Sequence, residues 1–159
     1  MTAEPRWLDD QEKAAWTAFL TASNLVTRKL EQQLKDEAGL SHTQYEVLVQ
    51  LSATEGRALR MTELADRLVT SKSGLTYQIT QLERAGLVTR RSCPSDVRGV
   101  FAELTDEGMD VLRRAAPGHV QAVREALIDV LTAEQRDHLA QGLGEVSRRL
   151  RGTTPIDPA

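Results

Sequence analysis

The sequence predicts a mainly α-helical chain with one small β-hairpin, an α+β fold in which long terminal helices flank a lobe of short ones. Three observations predict it. Apolar residues recur at three- and four-residue steps along most of the chain, as they do in helices with one buried face. Two short helical segments, at 61–69 and about 71–86, are separated by little more than a pair of hydroxyl residues, the pattern of a helix-turn-helix. Val88-Thr89-Arg90 and Val100-Phe101-Ala102-Glu103-Leu104 then follow as two runs rich in β-branched and aromatic residues, which pair as a hairpin across a long tip.

Each element has its own local cause. Residues 9 to 38 read as one long helix: Asp9 caps it, Asp10 and Glu12 favour its positive end, and Gly39 ends it. Ala15, Phe19, Ala22, Val26, Leu30 and Leu34 form a continuous stripe, longer than one small core needs. Ser41 and Gln44 make a capping box for a helix whose Tyr45, Leu48 and Leu51 face inward, and Thr54-Glu55-Gly56 closes it. Met61, Leu64, Ala65, Leu68 and Val69 mark a short helix with Thr62 as its cap. Thr70-Ser71 caps the next, whose buried face is Leu75, Ile79 and Leu82 and whose stop is Gly86 in a Schellman ending that packs Leu87 on Leu82. Beyond the hairpin, Thr105 starts a helix through Met109, Val111 and Leu112 that resumes past Pro117-Gly118 at Val120, Val123, Leu127 and Val130, with a kink expected at the proline. Thr132 and Gln135 form a second capping box, and Leu139, Leu143, Val146 and Leu150 line the last helix. The resulting organisation is a helix over 1–40, a lobe over 41–104, C-terminal helices over 105–151 and a disordered tail over 152–159.

Composition narrows the function classes. At 159 residues, 40% hydrophobic and 27% charged, the chain suits one compact unit with an association surface. It has no apolar run of membrane-spanning length and no signal-peptide pattern at MTAEPRWLDD, so a cytoplasmic protein is expected. A single cysteine, Cys93, excludes an intrachain disulfide and a thiolate zinc site, and no metal or cofactor is expected. The formal net charge of −3 hides a division: the stretch from Arg57 to Gly99 carries +4, leaving −7 elsewhere. A basic middle between acidic ends is what a chain shows when one part meets a polyanion.

The helix at about 71–86 carries the chemistry. On a helical wheel Ser73, Tyr77, Thr80 and Arg84 lie opposite the Leu75, Ile79 and Leu82 stripe, with Thr76 and Gln81 on the flanks. Hydroxyls, an amide, a phenol and a guanidinium suit the major groove of double-stranded DNA, where Gln pairs with adenine and hydroxyls serve either edge. Ser71, Lys72 and Ser73 at the helix start suit a phosphate, Gly74 permits close backbone approach, and Thr62 on the preceding helix adds a hydroxyl nearby. A hairpin after such a recognition helix is a wing. Its arginines, Arg90, Arg91 and Arg98, explain why an acidic protein gathers cations on one loop: Arg98 is placed for a minor groove, braced by Asp96, and Arg90 for phosphates.

The block from Ser41 to Gly108 resembles the MarR family of winged-helix bacterial transcription regulators. The resemblance rests on S-x-x-Q-Y-x-V-L at 41–48, L-A-D-R-L at 64–68, S-x-S-x-L-T at 71–76, L-E-x-A-G-L-V at 82–88, D-x-R at 96–98 and L-T-x-x-G at 104–108. It implies a homodimer built from interlaced terminal helices, with two winged lobes on a near-palindromic operator, acting as a repressor that a small aromatic or phenolic ligand releases. The long apolar stripes agree with such a dimer. By the same resemblance an effector pocket between the dimerisation helices and the lobe draws on Trp16, Phe19, His42 and Tyr45; core or interface packing also accounts for Trp16, Phe19 and Tyr45, and a solvated helix start for His42. Tyr77 stands where the family often has Arg, so the base preference of relatives does not transfer.

Two rival functions make different demands on the residues. Catalysis finds no support: H-E-x-x-H, G-x-S-x-G, S-x-x-K and glycine-rich phosphate loops are all missing, and His42, His119 and His138 are scattered along the sequence. A winged helix that binds protein instead of DNA is the closer rival, but it calls for an apolar recognition face. Arginine neighbours favour the thiolate of Cys93, although a lone cysteine at a wing tip is more often incidental than a redox sensor.

Overall fold

The structure, a computed structural model, describes residues 4–93 and 95–153, with the side chains of Cys93, Asp96, Val97, Arg98 and Thr153 outside that description. The order of elements is α1 (Asp10–Ala38), α2 (His42–Ser52), a 3-10 turn (Glu55–Arg57), β1 (Ala58–Arg60), α3 (Met61–Leu68), α4 (Lys72–Arg84), β2 (Val88–Cys93), β3 (Asp96–Leu104), α5 (Asp106–Val123), a π turn (Arg124–Ile128) and α6 (Ala133–Thr153). The chain divides into two compact units, one running to Ala122 and the other from Val123 onward. Among the described residues no helix is long and apolar enough to cross a membrane.

The caps act as their chemistry predicts. Asp9 accepts the Glu12 N–H while Glu12 reaches back to the Asp9 N–H, and α1 ends at left-handed Gly39. Ser41 and Gln44 make the expected reciprocal box on α2, and Thr132 and Gln135 the one on α6. The end of α4 is a full Schellman motif: Leu87 N–H donates to the Leu82 carbonyl and Gly86 N–H to that of Glu83, with Gly86 at φ 76°.

One core serves the first unit. Leu34 of α1, Tyr45, Val47, Leu48 and Leu51 of α2, Leu64 and Ala65 of α3, Leu75, Ile79 and Leu82 of α4, Val88 and Leu104 of the sheet, and Leu112 and Ala115 of α5 belong to it. The core of the lobe expected over 41–104 also takes side chains from α1 and α5. The α1 stripe accordingly does two jobs. Leu30 and Leu34 are buried within the protomer, whereas Trp16, Phe19, Leu20 and Leu25 stand exposed. In the second unit Leu139, Leu143, Val146 and Leu150 of α6 are exposed in the same way.

Several expectations need correction. The sheet has three strands in the order β1-β3-β2, because Ala58-Leu59-Arg60 pairs antiparallel with Phe101-Ala102-Glu103; three residues are too few to show alternation in a sequence. The hairpin tip is shorter than expected, since β2 and β3 pair out to Cys93 and Asp96 with an irregularity between Ser92 and Cys93. Thr62 does not cap α3, whose N-cap is Arg60 without a side-chain bond. Val69 does not continue the buried face; it adopts a left-handed conformation and is 76% exposed. Pro117 lies inside α5, and a π turn follows that helix at 124–128. The buried side of α5 is Gly108, Leu112, Ala115, His119 and Ala122, leaving Val120 exposed. Gly152 and Thr153 extend α6 into the stretch expected to be disordered; 154–159 lie outside the described residues.

Candidate nucleic-acid interface

Helices α3 and α4 are joined by only three residues, 69–71, and that tight turn fixes which face of α4 is presented. Leu75, Ile79 and Leu82 are buried, so the opposite side must face outward. Ser73, Thr76 and Arg84 are exposed there, Thr80 and Gln81 partly so, and Tyr77 is 62% exposed.

The hydrogen bonds within this face define what it can still offer. Thr76 Oγ1 donates to the Lys72 carbonyl at 2.8 Å and Thr80 Oγ1 to the Thr76 carbonyl at 2.9 Å. Both hydroxyl protons are thus spent inside the helix, and each oxygen presents lone pairs outward as an acceptor. Ser71 Oγ accepts the Gly74 N–H at 3.1 Å and lies 3.3 Å from Ser73 Oγ. A Cβ at Gly74 would stand 3.0 Å from that Ser71 oxygen, so this glycine makes room for the cap.

The wing folds back on α4 through charge. Glu83 Oε2 accepts from Arg90 Nη2 at 2.7 Å and Nε at 3.0 Å, and Glu83 Oε1 accepts the Arg90 backbone N–H at 3.1 Å. Those bonds hold the Glu83 carboxyl below the ordinary carboxylate range, the side-chain bond from Arg90 being the main cause. Arg91 pairs diagonally across the hairpin with Glu103 at 3.1 Å. Both strand arginines therefore carry carboxylate partners. At the opposite edge of the sheet, Arg60 lies over the Phe101 ring at 5.4 Å.

Between α3, α4 and the wing opens a cleft of about 390 Å³ lined by Arg60, Thr62, Lys72, Thr76 and Arg90 among others. Thr62, Lys72, Thr76 and Arg90, chosen from separate stretches of sequence, meet at this one place. Three cations and two hydroxyls around a concave surface suit a polyanion.

Comparison with known proteins agrees with that geometry. Residues 40–100 match the MarR family. The fold matches the crystal structure of AbsC, a MarR family transcriptional regulator from Streptomyces coelicolor, with 44% identity, a TM-score of 0.89, and coverage of 94% of this chain and all of that one. It also matches Sco3205, a MarR family regulator of the same organism solved in complex with DNA, with 45% identity, a TM-score of 0.86 and coverage of 98% and 96%. The chain belongs to the MarR family. A further similarity, 33% identity across 70% of this chain and 66% of the relative, is to the transcriptional repressor YetL of Bacillus subtilis.

As a MarR family regulator the chain shows where sequence reasoning fell short. Arg60, which lines the cleft, and Glu83, which holds Arg90, escaped notice. Arg60 was hidden by the three-residue strand that carries it, and Glu83 read as an ordinary helix acid until the hairpin brought Arg90 onto it. The four residues expected to line an effector pocket fall into two separate pairs. Trp16 and Phe19 stack on each other at 6.1 Å, while Tyr45 and His42 gather around His119 at 4.3 and 5.8 Å. His42 donates its N–H to Glu31, fifteen residues along α1 from Trp16, or about 22 Å of helix, so one small ligand cannot touch both pairs within a protomer. His42, expected to be a solvated helix-start residue, is half-buried, and His119 is 7% exposed with Nδ1 3.3 Å from Gln33 Oε1. The histidines scattered along the sequence thus include one packed pair. Among the described residues no cluster of three metal-ligating side chains occurs. The side chains of Asp96 and Arg98, and that of Cys93, lie outside the described residues.

Proposed function

We propose that this chain is a homodimeric transcription regulator that binds a near-palindromic double-stranded DNA operator, acting as a repressor that a small aromatic or phenolic effector releases. The observation that carries the reading is the polar outer face of α4 beside a cleft lined by Arg60, Lys72 and Arg90. A surface built for protein binding would put apolar residues there. The 45% identity to a regulator solved with DNA supports the same reading. Thr76 and Gln81 read base edges in the major groove, the start of α4 at Ser71, Lys72 and Ser73 holds a phosphate, and the wing reaches the neighbouring minor groove with Arg98 entering and Asp96 bracing it.

The exposed apolar residues of α1 and α6 support the dimer, since a second copy supplies the cover that one protomer lacks. A dimer grips two half-sites only when its recognition helices stand one DNA turn apart, roughly 34 Å. An effector that favours a different spacing releases the operator by shifting the population. The test is fluorescence anisotropy on an inverted repeat flanking the protein's own coding region and on a scrambled duplex. Thr76→Ala and Gln81→Ala each lower operator affinity by about 1–3 kcal/mol and scrambled-duplex affinity far less. Equal losses on both duplexes overturn the assignment of the reading face.

A further inference from the structure

Glu83 is an acid placed between two elements that both have to meet DNA, and neither its position in α4 nor the DNA reading by itself explains it. Its carboxylate takes three hydrogen bonds from one residue, Arg90: two from the guanidinium and one from the backbone. Strand β2 is the edge of the sheet, paired only with β3, so the Arg90 N–H points away from the hairpin and Glu83 satisfies it. Arg90 Nη2 also reaches Thr80 Oγ1 at 3.4 Å, on the outward side of α4 and one turn from Thr76. The array therefore ties main chain and side chain of the wing to the last turns of the recognition helix. Both partners remain about one-third exposed, 33% for Arg90 and 36% for Glu83, beside the basic cleft.

We infer that Glu83 is a positioning residue for DNA discrimination, locking the wing to the recognition helix and holding Arg90 away from non-specific phosphate contacts. The inference rests on the DNA-binding reading above and adds to it the residue that sets the ratio of specific to random binding. The physics has two parts. A recognition helix and a wing occupy adjacent grooves at a fixed offset, so slack between them costs operator affinity and leaves random binding unaffected. A released guanidinium next to Arg60 and Lys72 adds one mobile cation, which any phosphate backbone attracts regardless of sequence. Loss of the carboxylate charge thus weakens the cognate site and strengthens random DNA.

The test uses the full-length protein and the Glu83→Gln variant, which keeps the side chain's volume but turns an amide toward the guanidinium. Binding is measured on operator and scrambled duplexes across several salt concentrations, with thermal melting and sedimentation as controls. Operator affinity falls about threefold, scrambled-duplex affinity rises about threefold, and the slope of log affinity against log salt on the scrambled duplex steepens by about 0.9, the signature of one more phosphate contact. Arg90→Lys keeps the charge but has one nitrogen where the guanidinium offers two to Glu83 Oε2 and reaches Thr80 as well, so it moves the ratio the same way. In an Arg90→Gln background, Glu83→Gln moves operator and scrambled affinities together and leaves their ratio unchanged. An unchanged ratio and salt slope in Glu83→Gln, whatever happens to its melting temperature, overturns the inference while leaving the DNA reading intact. Wild-type protein that binds operator no better than scrambled DNA overturns both.

Discussion

Gly108 lies at the start of α5, where that helix hangs from the end of the recognition helix. Thr105 donates its N–H to the Leu87 carbonyl at 3.1 Å and its hydroxyl to the Gly86 carbonyl at 2.7 Å, and its hydroxyl oxygen accepts the Gly108 N–H at 3.0 Å. A Cβ on Gly108 would stand 2.7 Å from Leu104 Cδ1 and 3.0 Å from the Leu87 carbonyl carbon, and closer still to its oxygen. Backbone cannot swing aside as a flexible side chain does, so Gly108→Ala must push the start of α5 outward by about 1 Å. The two bonds from Thr105 are stretched or lost at about 1 kcal/mol each. Overpacking adds about 1–3 kcal/mol, and the better helix propensity of Ala returns about 1 kcal/mol. The net loss is about 2–4 kcal/mol, which for a chain of this size lowers the melting temperature by roughly 5–15 °C. Differential scanning calorimetry at one fixed protomer concentration reads it, since a dimer's melting point depends on concentration. A melting temperature within 2 °C of wild type, or above it, refutes the reasoning. The same contact gives a physical cause for the L-T-x-x-G pattern at 104–108: the threonine caps and the glycine lets the cap approach.

Val69 occupies the left-handed position that ends α3, with φ 52° and ψ 45°, where a β-branched residue costs about 1–2 kcal/mol. Val69→Gly relieves that strain against a smaller unfolded-state cost, for a net gain of about 0.5–1 kcal/mol in chemical denaturation; a lower denaturation midpoint contradicts it. His119 is buried against Tyr45 and His42, and burial, helped by the nearby His42 charge, holds its pKa below the usual 6.5. The unfolded chain binds that proton more readily, so the contribution of neutral His119 is complete above about pH 6.5 and is lost as pH falls through the lowered folded pKa. Glu46 opposes the shift without reversing it. Melting temperatures followed from pH 7.5 to 5 therefore fall less in His119→Phe than in wild type, and parallel curves refute the assignment.

The residue pattern carried the candidate site further than the fold's boundaries. Helix periodicity placed Leu75, Ile79 and Leu82 inward, which by geometry alone put Thr76, Tyr77 and Thr80 outward. Thr62, Lys72, Thr76 and Arg90 came from chemistry and local position, and the cleft unites them. Arg90 was recognised as a cation, yet its partner Glu83 sits on another element, and no local pattern pairs the two. The His42 and His119 contact, spanning 77 positions, was invisible for the same reason. β1 escaped because the strand it pairs with, β3, lies more than forty residues away in sequence.

Sequence alone determined whatever depends on a few neighbouring residues. The capping boxes at Asp9, Ser41 and Thr132, the Schellman ending at Gly86 and the buried stripe of α4 all follow from hydrogen bonds and side-chain directions spanning at most two or three turns. Tertiary structure decided which of two plausible partners each group takes. It split the α1 stripe between a core that needs Leu34 and an outer face that leaves Phe19 and Ala22 bare, although both halves look alike in sequence. It brought Arg90 of the wing onto Glu83 of α4, seven positions away. Burial and ion pairing are properties of what lies across space, and that is fixed only when the chain has closed its long loops.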